Sequence, residues 1–377
     1  MATGGSMPAA GGTVETGGAP PAGGAVATGG SVPAAGGAVA TGGVEAAGGQ
    51  ATGGQQTGGQ AATGGAAGGV ALDCGLPAAG SPGVARPSGT ANGLTVLDWA
   101  GFEGAVSYTF DDANSSQIEH YSELQSLGVP MTFYLQTGKT EASNAIWGQA
   151  VSDGHELGNH TQSHAQTGTG ADVDAATTFI ENQFGVRPWT MAAPYGDASY
   201  QSLAESRFLI NRGVSNAIIQ PDDSTNPFNL PCYIPATGAP ASDFNSQIDS
   251  ARTAGGWRVV LVHGFTGGTD GAYQPVSIDE FVSGVNHAKS FGDLWLDTVQ
   301  SVGAYWRGQK LVSSASPASS GDAQTWSWTL PANFPPDTCL RVQVEGGTLT
   351  QEGQVVAWDD HGYYEIALDA GSVTLTP

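Results

Sequence analysis

From residue 105 onward, short runs of consecutive apolar residues alternate with stretches whose apolar positions recur at helical spacing. Residues 105–110 read as a buried strand. Residues 117–127 place Ile118, Tyr121, Leu124 and Leu127 on one helical face, and Gly128 closes that helix. Residues 130–135 form a second β-rich run, 144–152 a short helix and 155–157 a brief strand. Further helices are predicted over 171–183, 199–206, 243–254 and 278–288, and further strands over 189–192, 207–211 and 259–262. Residues 293–296 then lead into a last helix ending at Tyr305. This β-α rhythm predicts parallel strands covered by helices, in an open sheet or a barrel, with the chemistry at the C-terminal strand ends.

On either side the pattern changes. After Gly308, short alternating runs over 325–330, 340–344, 355–358 and 364–368 are split by Gly, Pro and Asp, as in a small all-β domain. Its aromatics, Trp326, Trp328, Trp358, Tyr363 and Tyr364, could stack on sugars but are read as its core. Residues 1–70 contain no aromatic residue, and Thr-Gly-Gly recurs unevenly at Thr3, Thr16, Thr28, Thr41, Thr52, Thr57 and Thr63. So little apolar surface cannot offset the entropy of ordering, so a disordered, flexible spacer is expected there rather than a solenoid.

Composition narrows the function. The formal charge is −23, from 34 acidic and 11 basic residues, with lysine only at 139, 289 and 310. Nucleic acid is excluded as a partner, because counterion release needs clustered cations. An acidic surface suits neutral or cationic material. No stretch reaches the roughly 18 apolar residues of a membrane span. No signal peptide precedes the spacer, yet a long Gly/Thr spacer ahead of a Lys-poor domain is expected of a secreted or cell-surface bacterial protein. Cys74, Cys232 and Cys339 are too far apart in sequence for a close-spaced metal knuckle and permit at most one disulfide, with the pairing open.

Four polar clusters fall where chemistry is expected. Thr109, Phe110, Asp111 and Asp112 end the first strand; adjacent carboxylates there point apart, so one can bind a metal while the other acts as a base. An ordinary cap or turn is the plain alternative. His160 and His164 stand four residues apart, which would set both imidazoles on one face of a helical turn, and with a carboxylate they make an open three-ligand zinc set. Thr161 and Ser163 could steady that turn, while His155 is read as a packing residue. Ala193, Pro194, Tyr195 and Gly196 form a turn able to aim a backbone N–H at an oxyanion. Leu261, Val262 and His263 end a later strand.

In this order the clusters resemble the polysaccharide deacetylases of carbohydrate esterase family four, whose hallmarks are Thr-Phe-Asp-Asp, His-Ser/Thr-x-x-His, Arg-x-Pro-Tyr-Gly and Leu-x-His. The first two match fully at 109–112 and 160–164, and the resemblance covers about residues 105–300. It implies an α/β fold, a distorted (β/α) barrel, over 95–309, between a spacer at 1–90 and a small β-sandwich-like domain at 310–377. It also implies that Asp112, His160 and His164 bind Zn2+ or another divalent ion such as Co2+ or Ni2+, that Asp111 is the base and that His263 is the acid. Tyr195 would supply the oxyanion N–H within the turn begun by Pro194, and Leu261 would line the acetyl pocket.

The implied substrate is an acetylated polysaccharide or oligosaccharide. N-acetyl groups of chitin- or peptidoglycan-type sugars come first and acetylxylan is the alternative, for a protein expected to be a monomer. Three departures stand out. Ala113 replaces the family's glycine, Ala192 replaces the motif arginine, and no aspartate clearly partners His263, although Asp222 and Asp223 are near in sequence. Arg212 is the candidate replacement for the arginine. A carbohydrate-binding protein with a degenerate barrel is the reading from another class.

Overall fold

The structure, a computed structural model, describes residues 69–377 apart from Asp73. Of the spacer expected over 1–90, residues 1–68 lie outside the described residues. The folded part begins with a short strand, β1 (Thr95–Val96), and then lays down a seven-stranded parallel sheet. Its strands are β2 (Gly104–Asp111), β3 (Thr132–Leu135), β4 (Glu156–Asn159), β5 (Thr190–Ala192), β6 (Ile210–Arg212), β7 (Trp257–Val262) and β8 (Leu294–Leu296). The helices between and after them are α1 (Ser115–Glu119), α2 (Tyr121–Ser126), α3 (Ile146–Ser152), α4 (Gly170–Phe184), α5 (Ser199–Glu205), α6 (Ala241–Ala254), α7 (Ile278–Phe291) and α8 (Val299–Ser313).

All eight residues of β2 are buried, as its continuous apolar run demands. Two of its three hydroxyls are satisfied inside the core: Thr109 Oγ1 donates to Val260 O at 3.0 Å, and Ser107 Oγ accepts from Trp257 Nε1 at 3.0 Å, whereas Tyr108 Oη is buried without a partner among the described residues. The ladder runs β6-β5-β4-β3-β2-β7, with β8 also on β2. Residues 230–233 bridge the two ends of this ladder. Leu230 pairs with Arg212 of β6 and Tyr233 with Val260 of β7, so the ring closes through an irregular segment, a distorted barrel.

Two helices depart from the expected pattern. The helix predicted over 117–127 breaks at His120 into α1 and α2, because α1 buries its polar face, Ser116 and Gln117, where α2 buries Tyr121 and Leu124. The last helix continues past Tyr305 to Ser313. Gly308, where the sequence texture changes, lies inside this helix as a close-approach point: a Cβ there would lie 2.3 Å from Leu368 Cδ1. Neither α8 nor any other helix among the described residues is long and apolar enough to cross a membrane.

The C-terminal part forms two antiparallel sheets from β9 (Ala318–Ser320), β10 (Ala323–Ser327), β11 (Cys339–Gln343), β12 (Thr348–Gln351), β13 (Gln354–Val355), β14 (Trp358–Asp359), β15 (Tyr363–Ala367) and β16 (Ser372–Thr376). One sheet runs β1-β11-β15-β14 and the other β13-β12-β16-β10-β9. Trp326, Trp328, Tyr363 and Tyr364 are buried, as the core reading expects, whereas Trp358 is half-buried and donates to Val84 O. One apolar cluster joins Ile210, Trp257 and Trp306 of the barrel to Leu340, Leu349 and Val373 of these sheets. Residues 69–90, parsed from the sequence as the end of the spacer, lie along the same strands. Val70 bridges Val356, Arg86 Nε donates to Tyr364 Oη at 3.0 Å, and Cys74 is disulfide-bonded to Cys339.

Candidate metal and catalytic site

The site sits at the C-terminal ends of the parallel strands. At the end of β2 the backbone turns left-handed at Asp112 (φ 77°) and Ala113 (φ 54°). A glycine tolerates that conformation at no steric cost, whereas Ala113 takes it on as local strain. The turn sends the two carboxylates to different neighbours. Asp112 Oδ1 lies 3.4 Å from His160 Nε2 and 3.5 Å from His164 Nε2, and the two imidazole nitrogens are 3.1 Å apart. Asp111 lies beyond them, its Oδ2 3.6 Å from His160 Nε2.

The two histidines meet without a helix, contrary to the turn expected from their spacing. Residues 160–164 form a loop in which Thr161 (φ 60°) and His164 (φ 54°) are left-handed. Side chains hold the loop in place of helical bonds. Asn159 Oδ1 accepts from Thr161 N at 2.8 Å, Thr161 Oγ1 accepts from His164 N at 3.0 Å, and Ser163 donates from N and Oγ to Asp172, both at 3.0 Å. His155 is a buried packing residue, accepting from Met131 N at 3.0 Å against the edges of Tyr121 and Phe133.

These residues fit a divalent metal. His160 Nδ1 faces Ala192 O at 2.8 Å; a carbonyl only accepts, so Nδ1 carries a proton and Nε2, turned toward Asp112 and His164, is the atom a bound ion would take. The three ligand atoms lie within 4.8 Å of one another. Burial opposes charge on Asp112, but the surrounding His160, His263 and His164 outweigh it and hold the carboxyl well below the usual range. Burial, then neighbouring His160, lowers the pKa of His164 and so favours its neutral, ligating form.

Arg212 is brought to Asp111 as the sequence suggested. Its guanidinium is fully buried, Nη2 donates to Asp111 Oδ2, and Nη1 donates to Gly213 O at 2.9 Å. Burial opposes the guanidinium's charge, and Asp111 overcomes it, raising its pKa. In the ladder, Arg212 is the register partner of Ala192, where the family's motif has arginine. Asp111 Oδ1 keeps no protein partner. Behind Arg212, burial pushes the free Cys232 thiol up to about 11.

His263 follows β7, and its carbonyl accepts from Asn114 Nδ2 at 2.7 Å and Gln117 Nε2 at 2.8 Å. Neither Asp222 nor Asp223 takes the place of its missing aspartate. Asp223 caps its own loop, accepting from Gln220 N and Thr225 N, and pairs with Lys310, while His263 Nδ1 is buried without a protein partner. Burial lowers the His263 pKa. Pro194 is buried at the head of the turn Pro194–Gly196, and Tyr195 (φ 56°) projects its ring against His164 with centroids 4.7 Å apart. A cavity of about 420 Å³ gathers Asp111, Asp112, His160, His164, Tyr195, Leu261 and His263. It also takes in Val214, Ile234 and Tyr273, which sequence reasoning missed because they lie in stretches without periodicity.

Residues 101–210 match the family model for polysaccharide deacetylase, a span that holds three of the four motifs and ends before His263. A gellan lyase from Bacillus sp. is 28% identical over 189 residues, 42% of this chain but only 7% of that protein's length. Among solved structures, the catalytic domain of a peptidoglycan N-acetylglucosamine deacetylase from Eubacterium rectale aligns with TM-score 0.38 and 15% identity, covering 54% of this chain and 91% of that one. A polysaccharide deacetylase from Bacillus cereus gives 0.36 and 18%, covering 52% and 91%. The Xyl-CE4 domain of a xylanase from the hindgut metagenome of Trinervitermes trinervoides gives 0.36 and 18%, covering 52% and 88%.

Proposed function

We propose that this chain, whose residues 101–210 match the polysaccharide deacetylase family model, is a hydrolase removing acetyl groups from a polysaccharide, with a divalent metal held by Asp112, His160 and His164. One observation carries the reading: those three ligand atoms converge in the same cavity as Asp111 and His263. The bound ion supplies Lewis acidity toward a water and an acyl oxygen. Zinc suits the donor set best, with Co2+ or Ni2+ as substitutes.

The protein's own groups carry the proton traffic. Asp111 keeps Oδ2 on Arg212, which leaves the unpartnered Oδ1 to take a proton from the attacking water. His263 delivers a proton to the departing amine or alcohol. The Tyr195 N–H, set by the Pro194 turn, donates to the oxyanion, and Leu261 walls the acetyl methyl. N-acetyl groups of chitin- or peptidoglycan-type sugars are the first substrate class and O-acetyl groups of xylan the second. The Cys74–Cys339 disulfide supports a secreted or cell-surface location, since such bonds persist in oxidising compartments.

Acetate release from chitooligosaccharides and acetylated xylan, with added zinc, tests the reading by comparing wild type with Asp111→Asn. Wild type is expected to release acetate and the variant to lose about a hundredfold or more in rate. Bound zinc with no acetate from any substrate would support the carbohydrate-binding alternative instead.

A further inference from the structure

Five large apolar side chains are exposed among the described residues: Val70, Val84, Tyr195, Val214 and Tyr273. Three of them, Tyr195, Val214 and Tyr273, stand on the rim of the cavity that holds the metal ligands. Single exposed apolar residues need no explanation, but a cluster at the mouth of a cleft marks a binding surface. The two rings bracket the chemistry. Tyr195 meets His164 edge to face, and Tyr273 meets His263 in the same way with centroids 5.2 Å apart.

Tyr273 is 60% exposed, yet the loop that presents it is stapled down. Phe265 bridges Val276, and Thr266 N donates to Val276 O at 2.8 Å. Asp270 accepts from Ser116 N at 2.8 Å and from Ala272 N at 3.2 Å, while Ser116 Oγ accepts from Phe265 N at 3.0 Å. An aromatic ring held in place and left uncovered loses little entropy when a partner covers it.

The rim selects the partner. Arg212 is the one cation lining the cavity among the described residues, and its guanidinium is buried against Asp111. The other charged groups of the lining are Asp111 and Asp112, in a chain of formal charge −23. With a divalent ion on Asp112, His160 and His164 the cavity floor would not itself repel an anion, so the selection rests on the rim and the molecule: the apolar face of an uncharged sugar ring meets aromatic surface, while a polyanionic chain approaches a protein of formal charge −23. We propose that Tyr273, with Tyr195 and Val214, forms a platform that stacks on the rings of a neutral saccharide chain laid across the cavity, and that Tyr273 sets the preference for such a chain over a sugar-free acetyl ester. This rests on the deacetylase reading and places Tyr273 on the leaving-group side, beside His263.

Wild type, Tyr273→Ala and Tyr273→Phe are compared on N-acetylchitopentaose, acetylated xylopentaose, acetylated polygalacturonate and 4-nitrophenyl acetate. In Tyr273→Ala, kcat/KM on the pentasaccharide that wild type accepts should fall about tenfold, through KM. Its ratio to kcat/KM on 4-nitrophenyl acetate should fall about fivefold or more, and Tyr273→Phe should stay within about twofold of wild type. A pentasaccharide KM unchanged in Tyr273→Ala, or wild-type preference for the polyuronate, would overturn the proposal while leaving the deacetylase reading intact. No acetate from any substrate, the nitrophenyl ester included, would remove the deacetylase reading and this proposal with it.

Discussion

Asp111, the proposed base, and Arg212 are a buried pair, so each group is costly without the other. Arg212→Ala should destabilise the fold by about 3–5 kcal/mol in urea unfolding, because it strands the Asp111 carboxylate, and should lower acetate release with it. Adding Ala192→Arg to that variant should restore part of the turnover, since position 192 lies beside 212 in the ladder. Unchanged turnover in Arg212→Ala would remove Arg212 from the mechanism. Thr161→Val keeps the side-chain volume but removes the acceptor of the His164 N–H, so zinc affinity in a chelator competition should fall by about tenfold or more. At this scale the residues that converge were legible in sequence, because Asp112, His160 and His164 lie in two short motifs. Tyr273 was not. Nothing in a glycine-rich loop reports which side chain the folded loop aims at a cavity.

Strands and most helices were legible because their periodicity is the direct trace of burial, as in β2 and α4. The exceptions lie where polar contact or a second layer overrides that trace. Gln117 is buried to donate to the carbonyls of Asp111 and His263, which splits one expected helix in two. Residues 160–164 take the spacing of a helical turn in a loop built by side-chain hydrogen bonds. Between β4 and α8, the fully buried Glu156 accepts from Thr132 Oγ1 at 2.8 Å, Thr190 Oγ1 at 2.5 Å and Gln300 N at 2.9 Å. Burial raises its pKa despite these bonds. The folded state therefore binds this proton more tightly than the unfolded chain, and the contribution to stability is present below pH 4.5 and lost as pH rises above it. Urea unfolding of Glu156→Gln should show a smaller loss of stability with rising pH above 4.5 than wild type; equal slopes would refute the assignment.

At the scale of the whole molecule, the barrel and the C-terminal sheets share a core instead of meeting as separate bodies. The sequence shows two textures because the hydrophobic period changes near Gly308, but it gives no sign that α8 serves both parts. A chain ending at Ser313 would expose Trp306 and Val312, so it should lack a cooperative thermal transition in calorimetry. Reducing the Cys74–Cys339 bond should lower stability by about 2–5 kcal/mol, read as a fall in Tm with dithiothreitol. The three cysteines also impose an order on biosynthesis. Cys74 and Cys232 leave the ribosome well before Cys339, so the first thiol waits for its partner while a wrong one is already at hand. Cys232 lies in the segment that closes the ring between β6 and β7 and is fully buried there. Ring closure therefore removes the competitor from solution, so that once the barrel has formed only Cys74 and Cys339 are left to pair.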